Sequence, residues 1–307
     1  RKPHPSIFVQ NTELRTKWSD KNRNEWIENA VVGAHWTLTQ DNIVTGVPDN
    51  DWTLTLSPGQ CVDIVPMGEK EWVVRPYGFN DKFRGDLAEV EYLGGSFADW
   101  AEKRHIDIDA IEGRHDLQAA RIFPVVDNTH DMGIVLRWML SDSSLEEGKE
   151  IWTNARRMSA DEISSEANLS RLVEQRTKLR NANLPLLAKN WQHSVFYQTD
   201  LESVARDYGR YAIPMPDTLP NSASLLTRTR DAMFRSEAQR FAGADGKEQE
   251  ERAFALLREG LTAEALRVSQ QPKLSVYADQ IVWGRSPVRI DIAGGWTDTP
   301  PFCLMEG

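Results

Sequence analysis

Two cysteines, Cys61 and Cys303, are all that the 307 residues contain. A disulfide framework is therefore excluded as the source of stability, and a reducing compartment, the cytoplasm, is the expected setting. Long apolar runs are missing as well. No stretch approaches the roughly 18 consecutive apolar residues of a membrane span, and the first residues do not have the form of a secretory leader. Positive charge is in deficit, with 36 Lys and Arg against 46 Asp and Glu and a formal charge of −10. Such a balance repels phosphate backbones and no local basic face offsets it, so neither nucleic acid nor membrane is an expected partner. The six histidines, His4, His35, His105, His115, His130 and His193, never fall at ligand spacing with one another or with a cysteine, which argues against zinc. What remains is 40% hydrophobic and 27% charged, enough for one large core or two to three smaller ones. The chain starts at Arg1 rather than Met and stops at Met305-Glu306-Gly307 just after a new element opens, so it reads as a piece of a longer protein.

Tryptophan is what the first part has in abundance. Over residues 1 to about 86 the pattern is one of short alternations: Trp52, Leu54 and Leu56 recur every second position and Ser57-Pro58-Gly59 ends the run, as in a half-buried strand and its turn. A second period is superimposed. Trp26, Val32, Leu38 and Val44 are spaced by six, with Ala30, Trp36 and Asn42 at a matching offset. A six-residue apolar repeat is what a parallel β-helix needs, each short strand giving one inward side chain per face, although a few sandwich strands would also fit. From about residue 87 the character becomes helical. Ser96 is placed to cap a helix, and Ser159-Ala160-Asp161-Glu162 and Thr199-Asp200-Leu201-Glu202 both have the form of a capping box. A long helix is expected to carry Ile163, Ala167, Leu169, Leu172, Val173 and Leu179 on one face. Further helices are expected over 222–242, 247–260 and 262–269, separated by Gly243-Ala244-Asp245-Gly246 and by Gly260-Leu261-Thr262. After Pro272 the pattern returns to strand. The whole is an α+β multidomain chain, with an all-β part, an all-α part and a last strand and loop.

Two stretches invite a reading as sites. "GADGKE" has the end of a phosphate loop without its beginning, since Phe241 stands where a glycine is required and Glu248 follows Lys247; it is a helix-separating loop. The stretch "GRSPVRIDIAGGWTDTPP", Gly284 to Pro301, is different. Alternation buries Val288, Ile290 and Ile292 and leaves Arg289 and Asp291 together on the opposite side. Gly294 and Gly295 let the backbone turn and approach a ligand. Trp296, Thr297 and Asp298 then offer an aromatic platform with hydroxyl and carboxylate tips, and Pro300-Pro301 stiffens the exit. An indole against a C–H face and carboxylate hydrogen bonds to hydroxyls suit a sugar; a hairpin loop with a packed Trp and a capping Asp is the structural alternative.

"SPVRIDIAGGWTDTPP" also resembles the first signature of the GHMP superfamily, the sugar kinases grouped with galactokinase, homoserine kinase, mevalonate kinase and phosphomevalonate kinase. Its Gly-Gly-Trp-Thr-Asp variant looks most like L-fucokinase. The resemblance implies that this strand and loop form a sugar pocket, with Arg289 supporting the catalytic centre near the reacting hydroxyl. It places Asp291, Gly294, Gly295, Trp296, Thr297 and Asp298 against the sugar. Asp291, Gly295 and Trp296 depart from the residues usual in galactokinases, which implies a different sugar. Upstream, "VVRPYGFNDKFRG", "LQAARIFPVV" and "ARRMSADEISSEANLSRLVEQR" resemble the region between the two catalytic parts of bifunctional fucokinase/GDP-fucose pyrophosphorylases, so that the likeness covers nearly the whole chain. It implies a left-handed β-helix over 1–86 extending a pyrophosphorylase part, a helical bridging domain over 87–272, and the start of a GHMP kinase domain over 274–307. It implies L-fucose and nucleotides as small-molecule partners, and Mg2+ with ATP and GTP as cofactors of the parent enzyme. The phosphate loop and catalytic base of the kinase do not occur before Gly307, so the chain alone is expected to be inactive. The alternatives are a stand-alone sugar kinase for fucose or a heptose, and a non-catalytic assembly module.

Overall fold

Ladders of short parallel strands build the first part of the chain in the computed structural model, which describes residues 4–82, 84–268, 280, 281, 283 and 284. In chain order these strands are β1 (Phe8–Gln10), β2 (Glu13–Leu14), β3 (Trp26–Glu28), β4 (Val31–Val32), β5 (Trp36–Thr37), β6 (Ile43–Thr45), β7 (Leu54–Thr55) and β8 (Gln60–Met67). β1, β3, β6 and β8 stack on one face, β2 and β4 on a second, β5 and β7 on a third. Partners such as Phe8 and Trp26, Glu13 and Val31, or Thr37 and Thr55 lie eighteen residues apart. Eighteen residues over three faces is six per face, so the apolar hexads are those of a parallel β-solenoid and the sandwich is excluded.

One coil is a residue short. Trp26 opposes Ile43, and Ile27 opposes Val44, at a spacing of seventeen. The slip turns Ile27 inward, fully buried, and sends Trp26 outward, where it is 45% exposed and stacks on Phe8 at 4.1 Å. Of the expected inward hexad, Val32, Leu38 and Val44 are buried and Trp26 is not. The coil turns at left-handed residues that recur with the same period: Asn11, Asn29 and Gly46 along one corner, Asn24, Asp41 and Gly59 along another. Asn, Asp and Gly are the residues that tolerate this backbone region. At Gly46 nothing larger fits, because a Cβ would lie 2.0 Å from the Ile64 carbonyl oxygen. Inside, buried amides run from coil to coil. Asn22, Asn42 and Gln60 each accept from a backbone N–H three residues back, while their NH2 groups donate to Leu38 O, to Ser57 O and Gln60 O, and to Leu140 O respectively.

β8 then doubles back into β9 (Glu71–Gly78) along its full length, and the chain switches from parallel to antiparallel pairing. A small hairpin, β10 (Glu91–Tyr92) and β11 (Gly95–Ser96), leads into α1 (Phe97–Lys103). β12 (Phe123–Val126) extends the sheet on β9, followed by α2 (Thr129–Leu140), α3 (Glu146–Asn154), β13 (Arg157–Met158) and α4 (Ala160–Glu166). The stretch from 87 onward is therefore not all helix: β12 and β13 return to the solenoid's own sheet, in the order β1-β3-β6-β8-β9-β12-β13. The expected division at 86/87 lies inside a compact unit, Arg1–Asn183, with one core reaching from Ile27 to Ile163. Trp52 joins its halves. The indole N–H donates to Thr129 O, and α2 passes so close that a Cβ on Gly133 would stand 2.5 Å from the ring. Deeper in, Trp100, Trp138 and Trp152 pack edge to face or tilted, and Arg104, only 5% exposed, lies over the rings of Trp100 and Trp138. Its guanidinium donates to Trp138 O and Met139 O, carbonyls at the negative end of α2. Burial lowers its pKa to about 10.

The caps at Ser96 and Ser159 form as expected, the second as a complete capping box. The long helix after it does not. The chain breaks between α4 and α5 (Leu169–Lys189) because Ala167 bridges to Met67 and Asn168 N–H donates to Pro66 O; Leu169 and Val173 are consequently exposed. From Leu169 to Asn183 only Leu179 is buried. Side chains reaching backbone carbonyls hold this helix to successive coils instead. Arg171 donates to Met67 O and Glu71 O, Gln175 to Asn29 O, Gly46 O and Val47 O, and Asn183 to Thr12 O, while Asn29 donates to Leu172 O.

The second unit, Leu184–Gly307, has its own core of Phe196, Tyr208, Phe234 and neighbouring residues. Its helices are α6 (Leu201–Arg210), α7 (Leu225–Phe241) and α8 (Lys247–Val268). α6 is capped by Asp200, which accepts from Ser203 N–H, rather than by Thr199, whose hydroxyl donates to Phe196 O. α8 runs unbroken where two helices were expected. Gly260 does not end it, because the missing Cβ is what lets Leu225 approach: a Cβ there would fall 2.2 Å from Leu225 Cδ2. Asp231 and Arg235 form a buried ion pair, 2.8 Å, to which Tyr197 adds a hydroxyl hydrogen bond of 2.7 Å.

Candidate functional site

The loop singled out in the sequence lies outside the described residues, and with it Arg289, Asp291, Gly294, Gly295, Trp296, Thr297 and Asp298. Among the described residues no cluster of His, Cys, Asp or Glu could hold a metal ion, and no helix is long and apolar enough to cross a membrane.

A cleft of about 300 Å³ opens in the first unit where the solenoid gives way to antiparallel sheet. Its floor follows from strand alternation. In β9, Val74 and Pro76 are buried while Arg75 and Tyr77 face the other side. Register sets Arg75 opposite Asp63 on β8 and Tyr77 opposite Cys61. Thr45 on β6 donates to Asp63 Oδ1 at 2.7 Å, and Arg75 Nη1 donates to Asp63 Oδ2 at 3.4 Å. Burial pushes the Asp63 carboxyl up, opposed by Thr45 and Arg75; burial likewise raises the Tyr77 phenol and takes the Cys61 thiol to about 11. The Arg75 guanidinium lies 5.6 Å from the Tyr77 ring and 5.8 Å from the Phe123 ring, within cation–π range.

The rim is fixed by Asp81. Its carboxylate accepts from the N–H groups of Gly78, Leu93 and Gly94, tying the turn after β9 to the β10–β11 hairpin. The Tyr92 hydroxyl donates to Pro76 O from the same side. Lys82 and the half-exposed Phe79 complete the opening. Arg75, Tyr77, Phe79, Asp81 and Lys82 belong to the tract "VVRPYGFNDKFRG", noticed for its likeness and not as a site. The signal was the alternation of Arg75 and Tyr77 on one face of β9, with Phe79 just beyond its end.

The fold and cleft define a class: a parallel β-solenoid continued by mixed sheet and helices, with a polar and aromatic pocket at the change of pairing. Over its whole length the chain is 48% identical to the L-fucokinase/L-fucose-1-P guanylyltransferase of Bacteroides fragilis, and it spans 33% of that protein. The resemblance seen in the sequence to bifunctional fucokinase/pyrophosphorylases is thereby borne out from end to end. No family model matches the chain.

Proposed function

We propose that the chain is the central region of a bifunctional fucose-salvage enzyme, carrying the opening strand and loop of its kinase domain. The observation that carries this is the 48% identity, sustained over all of the chain, to a protein that combines the two activities. The parent enzyme transfers the γ-phosphoryl group of ATP to the anomeric hydroxyl of L-fucose, releasing ADP. Fucose 1-phosphate then attacks the α-phosphate of GTP, giving GDP-L-fucose and pyrophosphate. The solenoid extends the guanylyltransferase part, and residues 274–307 open a kinase domain of the GHMP kind.

In this reading Asp298 accepts hydrogen bonds from sugar hydroxyls, and Trp296 covers the C–H face. Gly294 and Gly295 bring the backbone to the ligand. Arg289 stands near the anomeric oxygen, where its charge favours the phosphoryl group as negative charge shifts onto it. Magnesium entering with ATP and GTP would neutralise phosphate charge in parts of the parent that hold those nucleotides. A soluble enzyme acting on small molecules fits the lack of an apolar spanning helix among the described residues.

Asp298→Ala in the full-length enzyme is expected to raise the KM for fucose in the kinase reaction about tenfold or more and to leave guanylyl transfer unchanged. Steady-state kinetics of the two half-reactions check it. Equal damage to both, or to neither, overturns the assignment.

A further inference from the structure

We propose that the cleft beside β9 is a binding site for a small phosphate monoester, held by Arg75, Tyr77 and Lys82. Hydrogen-bond accounting leads to this. The carboxylates around the cleft are already engaged, as is one carbonyl: both Asp81 oxygens take backbone N–H groups, Asp63 takes Thr45 and Arg75, and Pro76 O takes Tyr92. The donors are not. The Arg75 side chain makes a single hydrogen bond among the described residues, the long one from Nη1, and 30% of it is exposed. The Tyr77 hydroxyl and the Lys82 ammonium have no partner among the described residues. A ligand that fits must therefore bring acceptors and negative charge, and a phosphate brings both in the geometry that a guanidinium and an ammonium recognise.

The remainder of the ligand is bounded by size and by aromatic surface. A volume of about 300 Å³ admits a monosaccharide-sized group and is small for a nucleoside triphosphate. The rings of Phe79 and Phe123 supply an apolar wall against which a sugar C–H face packs. The phosphate chemistry stands on this geometry alone; the choice of fucose 1-phosphate as the first sugar ester to try rests on the proposed function.

Isothermal titration of the 307-residue chain with fucose 1-phosphate, glucose 1-phosphate and inorganic phosphate tests the site. Saturable binding is expected, weakened about tenfold by Lys82→Ala and severalfold by Tyr77→Phe. Both variants should fold, since neither lost group has a partner among the described residues; circular dichroism verifies it. Arg75→Ala is a poorer probe because it strands the half-buried Asp63 carboxyl. Tighter binding of the sugar esters than of inorganic phosphate supports a sugar phosphate as the ligand. Equal binding supports recognition of the phosphate group by itself. No binding of any of the three at millimolar concentration, or binding unaffected by both variants, overturns the proposal. Loss of binding on Asp298→Ala also overturns it, by moving the phosphate site to the kinase loop without harm to the kinase reading.

Discussion

Glu25 shows how a single residue can set the response of the solenoid to pH. It is 1% exposed, its Oε1 accepts from Asn22 Nδ2, and its Oε2 is buried with no hydrogen-bond partner among the described residues. Burial above all pushes its pKa up to about 7. Between the ordinary carboxylate range and pH 7 the folded chain thus keeps a proton that the unfolded chain has lost. The stabilisation is fully present at low pH and is lost as pH rises through about 7. Glu25→Gln should flatten this dependence and add on the order of 2 kcal/mol at about pH 8, as read by urea unfolding across a pH series. A second residue test concerns the corners. Gly46→Ala combines left-handed strain of about 1–2 kcal/mol with a clash against Ile64 O, so a total loss of roughly 2–4 kcal/mol is expected. Asn11→Gly, at the equivalent corner one end of the stack away, should change stability by less than about 0.5 kcal/mol. The corner residues were visible in the sequence as scattered Asn, Asp and Gly, but their period was hidden because one coil has seventeen residues and the next eighteen.

At the scale of elements, local signals were legible where the chain satisfied itself and misleading where another segment intervened. Ser159 and Glu162 close a capping box within four residues, so the box could be read directly. Helix α5 could not, because what divides it from α4 is Met67, a hundred positions earlier, and what holds it is a row of solenoid carbonyls. Apolar periodicity says nothing about a helix retained by amide and guanidinium contacts. Gln175 is the centre of that attachment, donating to three carbonyls at 2.8, 3.1 and 3.3 Å. Gln175→Ala should destabilise the attachment by roughly 1–2 kcal/mol. Hydrogen exchange should then show reduced protection over residues 172–183 and unaltered protection in β6 and β8, since the solenoid core does not depend on the helix for its burial. A uniform loss across both would show instead that α5 is part of the solenoid's cooperative unit.

For the whole molecule, two cores imply two folding events. The first unit is built around tryptophans and β-branched residues between Ile27 and Ile163, the second around Phe196, Tyr208 and Phe234. Scanning calorimetry is expected to resolve two transitions, and Phe234→Ala should lower one of them by an amount corresponding to about 3–5 kcal/mol while leaving the other in place. A single transition that shifts as a whole would count against independent units. The class of the fold was legible because the hexad repeat is a property of consecutive residues. The pocket beside β9 was not, because it is assembled from three strands, a turn and a hairpin that only register brings together.

The amide that ends the solenoid has a further consequence. Gln60 Nε2 gives its hydrogen to Leu140 O, at the end of α2, so the last rung of the column finds its partner in a helix and not in another coil. Repetition is thereby made to stop. A stack of identical turns has no inherent length, and here the count is closed by a carbonyl that a helix terminus leaves over. Coil number should accordingly be free to change in the middle of the stack and fixed at this end. Duplicating an eighteen-residue turn between β1 and β3 would lengthen the column and leave the Gln60 bond in place, at the loss of the Asn183 contact with Thr12, whereas adding the same turn after Gln60 would separate Gln60 from Leu140.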